Sequence, residues 1–219
     1  MGSTMINTLS RLSATVFLLC FAVQAPAADD LNIMEGVEYE RLAAPLPAIT
    51  DTGKVEVIEL FWYGCPHCFR LEPHLNRWLA TDFPDDAEFI RVPGTMNPGW
   101  LDHARAYYTA EHLGVLDQIH EPLLDAIHVD GRRINSQAQL GTFFEEFGVD
   151  RDEFDRTFRS FEVHTQINRA KYLAERSEAT GVPALIVGGR YRTGVDMAGG
   201  YDRLFEVVSE LVQMSQDSS

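Results

Sequence analysis

Cys65 and Cys68 are separated by Pro66-His67 and follow the apolar run Val55 to Tyr63 directly. Two thiols three positions apart at a strand-to-helix junction can close a disulfide with each other and reopen it. A sheet edge aims them, and a helix N-terminus stabilises the thiolate, which is the reactive form of cysteine. Cys65 is expected to be the exposed, low-pKa nucleophile. His67 assists it if the ring is protonated or donates a hydrogen bond. Cys68, one turn into the helix, is expected to be buried and to resolve mixed disulfides. The competing chemistry is half a zinc site. Structural zinc takes four ligands, usually with a second close pair. His74, His103, His112, His120, His128 and His164 show no such pairing with the motif. The expected cofactor is therefore none beyond the Cys65–Cys68 redox disulfide, with no metal. A disulfide closing a four-residue loop restrains the unfolded chain little, so chemistry explains the pair better than stability does.

The third cysteine, Cys20, lies in an N-terminal segment with its own logic. Arg11 precedes an apolar run from Ala14 to Val23, too short to cross a bilayer as a helix. Ala25-Pro26-Ala27 then places small residues at the two positions a signal peptidase reads. Residues 1–27 are expected to be a secretory signal peptide cut after Ala27, with a short N-terminal anchor as the alternative. A lipid anchor on Cys20 is disfavoured, because Phe17-Leu18-Leu19 lacks the small residues such a site needs. Removing 27 of the 219 residues leaves 192, enough for one core with an inserted subdomain. Arg11 is the only charge lost, so 17 of 18 basic side chains and all 33 acids stay, a formal charge of −16. That balance repels nucleic acid and anionic membrane surfaces. The expectation is a soluble exported chain, monomeric, in a compartment that permits disulfides.

Several elements must position the two thiols. Val37 to Leu42 alternates loosely and leads to Pro45 and Pro47, as a short edge strand and a turn would. Val55 to Tyr63 is apolar on both faces apart from Glu56 and Glu59, the pattern of a central buried strand. In the following helix Leu71, Leu75, Trp78 and Leu79 share one face. Pro66 suits its first turn, and Pro73 is expected to kink it. Ala87 to Val92 is a further strand. Helices are expected over Leu101–Leu113 and over Val115–His128 with an interruption at Pro122. Ser136 with Gln139, and Asp150 with Glu153, carry capping-box patterns, the second ahead of Phe154, Phe158 and Phe161. A long helix is expected from Val163 to Ala179. A hairpin at Ala184 to Thr193 turns on Gly188-Gly189, and a last helix runs from Tyr201 to Met214. Without 95–162 the order is that of a thioredoxin-like core. The expected class is therefore α/β, a thioredoxin fold with an inserted all-helical subdomain. Its core spans 28–94 and 163–214, its insertion 95–162, and its flexible tail 215–219.

These residues resemble a family. Phe61 followed by Cys65-Pro66-His67-Cys68 after a strand, with Gly181-Val182-Pro183-Ala184 before a hairpin, is similar to the DsbA family of bacterial periplasmic thiol–disulfide oxidoreductases. Cys-Pro-His-Cys is the tetrapeptide typical of that family, and thioredoxins usually carry Gly-Pro between the cysteines. The likeness covers essentially the whole mature chain, from Val37 through the last helix. It implies periplasmic oxidation of reduced exported polypeptides through a mixed disulfide. It also implies reoxidation by a DsbB-like inner-membrane quinone reductase. By the same resemblance Cys65, Cys68, Pro66 and His67 form the redox site. Pro183 has a cis peptide facing it, and Val182 offers backbone groups to the substrate strand. Glu59 is a buried acid that relays protons for Cys68.

Plainer readings stand beside these. Thr180 to Pro183 also suits a simple helix stop. Glu59 could reach solvent from a strand edge; if buried it needs a partner, with Arg91 and Arg70 as candidates. Phe61, Trp62 and Tyr63 suit the core better than a substrate surface. Met197 either borders an apolar peptide groove or simply packs. Two other functions compete with a dithiol oxidase. A reductase or isomerase of the DsbC or DsbG type usually carries an N-terminal dimerisation domain, for which Ala28 to Thr52 is too short. A non-enzymatic periplasmic peptide-binding or holdase module would keep the cysteines only incidentally.

Overall fold

A computed structural model describes residues 1–2 and 32–217. The expected signal peptide, with Cys20, lies almost wholly outside the described residues. The chain divides at Asn32 into two units, and every element below belongs to the second.

Strands β1 (Glu40–Arg41), β2 (Val55–Phe61), β3 (Ala87–Pro93), β4 (Ala184–Val187) and β5 (Tyr191–Thr193) form one sheet in the order β1-β5-β4-β2-β3. β2 is parallel to β3 and antiparallel to β4, so it is interior, as its apolar pattern on both faces requires. Side chains alternate along it. Val57, with Leu185 and Val187 of β4, enters a core built with Leu71, Leu75, Leu204, Val208 and Leu211. Ile58 and Leu60, with Ala184 and Ile186, enter the opposite core with Ile119, Leu123, Phe144, Phe154 and Ile167. The first core lies under helices α1 (Pro66–Thr81) and α8 (Tyr201–Asp217). The second lies under α2 (Leu101–His112), α3 (Leu116–His128), α4 (Gln137–Glu145), α5 (Arg151–Phe158) and α6 (Phe161–Arg176). A fully buried leucine or isoleucine contributes roughly 1.5–3 kcal/mol, so the period-two pattern of β2 binds both helical layers to one strand. The β4–β5 turn uses Gly188 and Gly189 at φ 56° and 63°, closed by the Arg190 N–H donating to the Val187 carbonyl at 3.0 Å.

The structure departs from expectation at five places. β1 stands at the sheet edge as expected but is only two residues long, not the stretch from Val37 to Leu42. α3 runs unbroken through Pro122, because Ile119, Leu123, Leu124 and Ala126 are buried around it and outweigh the proline's lost hydrogen bond. α6 starts at Phe161 instead of Val163 and ends at Arg176 instead of Ala179, capped at its start by the Ser160 hydroxyl accepting from the Val163 N–H at 3.2 Å. Phe161 therefore leaves the face of Phe154 and Phe158 and is 78 % exposed. The tail expected from Ser215 continues α8 to Asp217, with Ser215 buried and its hydroxyl on the Leu211 carbonyl at 2.7 Å. A short helix, α7 (Val195–Ala198), carries Met197 and ends at Gly199 with φ 83°. The Ser136 and Asp150 caps form as expected.

Candidate active site

β2 ends at Phe61 and α1 begins at Pro66, so four residues carry the chain from the sheet to the helix. Cys65 is the N-cap of α1, in the extended conformation usual there, with φ −88° and ψ 116°. Pro66 fills the first helical position, where no N–H is needed. Both thiols are free, without a bond between them. Cys65 is lowered to about 6, first by a hydrogen bond from the Cys68 thiol, then by the backbone N–H groups of Cys68 and His67, against an opposing effect of burial. The His67 side chain contributes least, and its Nδ1 accepts from the Arg70 guanidinium at 3.0 Å. Burial pushes Cys68 far above an ordinary thiol, and the hydrogen bond to Cys65 and the Glu59 charge add to that. The two sulfurs are thus driven in opposite directions, as a nucleophile and a resolving thiol require.

Cys65 is not exposed as expected; only 6 % of it is accessible. The Val182 carbonyl lies 3.3 Å from its sulfur and accepts from the thiol. The Val182–Pro183 peptide is cis. His67, Val182, Pro183, Met197 and Tyr201 line a cleft of about 370 Å³ beside the tetrapeptide. Sequence positions 67 and 182–183 are brought together there, with Met197 on the same cleft.

Glu59 is buried and faces Arg91 in register across β2 and β3, at 3.2 Å. Arg70 is not its partner. Arg91 also donates to Glu72 at 2.5 Å. Burial drives Glu59 up to about 7, partly opposed by Arg91 and reinforced by Glu72. Glu72 was not foreseen. It lies four residues after Cys68, so one helical face carries both, and that spacing was the available signal. Phe61 and Tyr63 are core residues, whereas Trp62 is half-buried and stacks on Trp100 at 4.7 Å and 13°. Among the described residues no cluster of metal-ligating side chains occurs.

A family model described as a DSBA-like thioredoxin domain matches residues 88–212. A protein of Azotobacter vinelandii named thiol:disulfide interchange protein DsbA is 35 % identical over 210 residues, covering 96 % of this chain and 97 % of that one. The chain belongs to the DsbA family. A relative of the same name in Pseudomonas syringae pv. tomato is 36 % identical over 91 % of this chain and 92 % of its own. The crystal structure of Pseudomonas aeruginosa DsbA superposes with a TM-score of 0.79 at 34 % identity, covering 87 % of this chain and 97 % of that chain. Oxidoreductase DsbA of Xylella fastidiosa gives 0.77 at 29 %, covering 84 % and 98 %. The fold is the DsbA-like thioredoxin fold, with helices α2 to α5 standing between β3 and α6. The family model begins within β3, so the thiols and Glu59 lie ahead of the matched span, and the full-length relatives carry the likeness across them.

Proposed function

We propose that this chain oxidises thiol pairs in newly exported proteins by donating a Cys65–Cys68 disulfide. The opposed pKa values of the two sulfurs carry this reading. A substrate thiolate attacks Cys65 Sγ, forming a mixed disulfide and breaking the Cys65–Cys68 bond. Cys68 leaves with the bonding pair and takes up a proton, for which Glu59, poised near pH 7, is the supplier. A second substrate thiolate attacks its partner sulfur and expels Cys65 as its stable thiolate. Two electrons pass from substrate to protein, and the substrate leaves with a disulfide. A pair whose reduced form is favoured is a strong oxidant, the property for which DsbA is itself the type case.

The cis-peptide segment supports substrate placement. Val182 and Pro183 lie on the same cleft as Met197, so an extended substrate segment would lie against their backbone and the methionine. The redox disulfide is the only cofactor in this reading. A DsbB-like quinone reductase of the inner membrane would restore it, and residues 1–27 would direct the chain to the periplasm as a monomer. No helix among the described residues is long and apolar enough to cross a membrane.

The test is equilibration of the pair with glutathione at neutral pH. An oxidase holds a potential well above the roughly −270 mV of thioredoxin and oxidises a reduced, unfolded substrate stoichiometrically. A pair that stays oxidised in strongly reducing buffer would transfer the chain to the reductase reading.

A further inference from the structure

Three successive carbonyls lead from β2 into the redox helix, and each has a partner. The Phe61 carbonyl accepts from the Gly94 N–H at 2.6 Å, and the Trp62 carbonyl from the Cys65 N–H at 2.9 Å. The Tyr63 carbonyl accepts from His128 Nε2 at 2.7 Å. The first two partners are backbone groups next to the site. The third is a side chain from the last residue of α3, sixty-five positions away in the chain.

His128 makes a second contact. Its ring stacks on Phe69, with centroids 4.9 Å apart and an interplanar angle of 20°. Tyr63 stands two residues before Cys65, and Phe69 stands one residue after Cys68. One imidazole therefore grips the tetrapeptide at both flanks. Gly64 has no side chain with which to hold the intervening peptide, so the orientation of the Tyr63–Gly64 plane depends on the acceptor bond to His128. A backbone carbonyl only accepts, so His128 Nε2 carries the proton in this arrangement.

Resting on the oxidase reading above, we propose that His128 is a positioning residue for thiol–disulfide exchange, holding the Cys65 loop so that the sulfur meets its hydrogen-bond donors. The Cys65 thiolate depends on the Cys68 thiol and on the N–H groups of His67 and Cys68. These are short-range, directional contacts, and a peptide-plane rotation two residues away misaligns them. The helical layer thereby reaches the loop that carries Cys65 through a hydrogen bond from α3. His120, which meets the Tyr63 hydroxyl at 3.0 Å through Nδ1, anchors the same residue at its other end.

The experiment compares the native chain with His128→Phe and His128→Gln. Phenylalanine keeps a ring against Phe69 and removes the N–H; glutamine removes the ring and keeps an N–H donor. Thiolate absorbance against pH and the equilibrium with glutathione are read for each, with melting temperatures of both redox forms. His128→Phe is expected to raise the Cys65 pKa by about one unit and to shift the glutathione equilibrium at pH 7 about fivefold toward the disulfide. His128→Gln is expected to recover most of both effects. Equal loss of melting temperature in both redox forms, with unchanged pKa and equilibrium, overturns the proposal and leaves His128 as packing. So does a glutamine variant no better than phenylalanine. If His128→Phe does not fold, ¹⁵N spectra of the native reduced chain decide: a proton on Nδ1 with Nε2 bare overturns the proposal. A native chain that resists reduction, with an ordinary Cys65 thiol, instead sinks the oxidase reading and this inference with it.

Discussion

Glu59 and Arg91 face each other at 3.2 Å across the parallel β2–β3 pair, and the same guanidinium donates to Glu72 at 2.5 Å. One cation thus serves two buried carboxylates. Burial pushes Glu72 up, but His120, at 3.5 Å, and Arg91 outweigh that and hold it below its usual value. Glu59 takes the opposite course and rises to about 7. Burial is the chief cause of the rise at Glu59, and the neighbouring Glu72 charge adds to it.

Glu59→Gln is therefore expected to stabilise the fold and to impair the chemistry. An acid with a raised folded pKa weakens the fold as it ionises, because the unfolded chain gives up its proton first. The penalty is absent below pH 4.5 and complete above about 7. The variant should gain roughly 3 kcal/mol over the native chain at pH 8, with the gap closing toward pH 4.5. Thiol exchange near neutral pH should slow, since glutamine has no proton to give Cys68. Denaturant curves at both pH values and stopped-flow exchange measure the two halves. Parallel stability profiles with unchanged rates would remove Glu59 from both roles.

Cys65 should be alkylated before Cys68 in the reduced protein. Its rate should rise with pH around 6, where the thiolate forms, and Cys68 should stay unmodified through neutral pH. Because Cys65 is only 6 % accessible, a small reagent such as iodoacetamide is the appropriate probe. Peptide mapping after brief labelling reads the order, and prior modification of Cys68 would reverse the assignment of nucleophile and resolving thiol.

The reduced protein should be more stable than the oxidised one at and above neutral pH. Cys65 falls from 9.0 in an ordinary thiol to about 6 in the fold. A depressed folded pKa stabilises fully above the unfolded value and fades as pH drops through the folded one. The contribution is about 1.4 kcal/mol at pH 7 and approaches about 4 kcal/mol above pH 9. Oxidation removes the thiolate, and a four-residue loop returns little entropy. Denaturant midpoints of both forms at pH 5 and 8 should separate mainly at the higher pH. A higher midpoint for the oxidised form at pH 8 contradicts the oxidase direction.

Gly64→Ala should disturb the loop sterically. A Cβ there would stand 2.3 Å from Trp62 Cζ2, so the indole must leave its stack on Trp100 or the backbone before Cys65 must shift. Overpacking of this kind costs about 1–3 kcal/mol. Changed tryptophan emission together with a lower melting temperature is the expected result. An unchanged spectrum and full stability would mean that the loop absorbs a methyl group freely.

Local pattern alone determined a good deal. The thiols, their spacing and the apolar run before them placed a redox pair at a strand-to-helix junction. Periodicity located β2, β3, α1, α2 and α8, and the Ser136 and Asp150 caps were readable because a capping bond spans only three residues. Ser160 makes the same bond, yet Phe161 beside it matched the preceding apolar face and hid the boundary. Pro122 signalled a break that burial of Leu123 and Leu124 overrode. What only the tertiary structure decided lies across long separations. Arg91 meets Glu59 because strand register puts them opposite, a pairing that neither residue's neighbours encode. Val182 covers Cys65 from 117 positions away, and His128 reaches the Tyr63 carbonyl from 65. Propensity and hydrophobic period act over a few residues. The environment that sets each sulfur's charge is assembled by packing, from segments that the sequence keeps far apart.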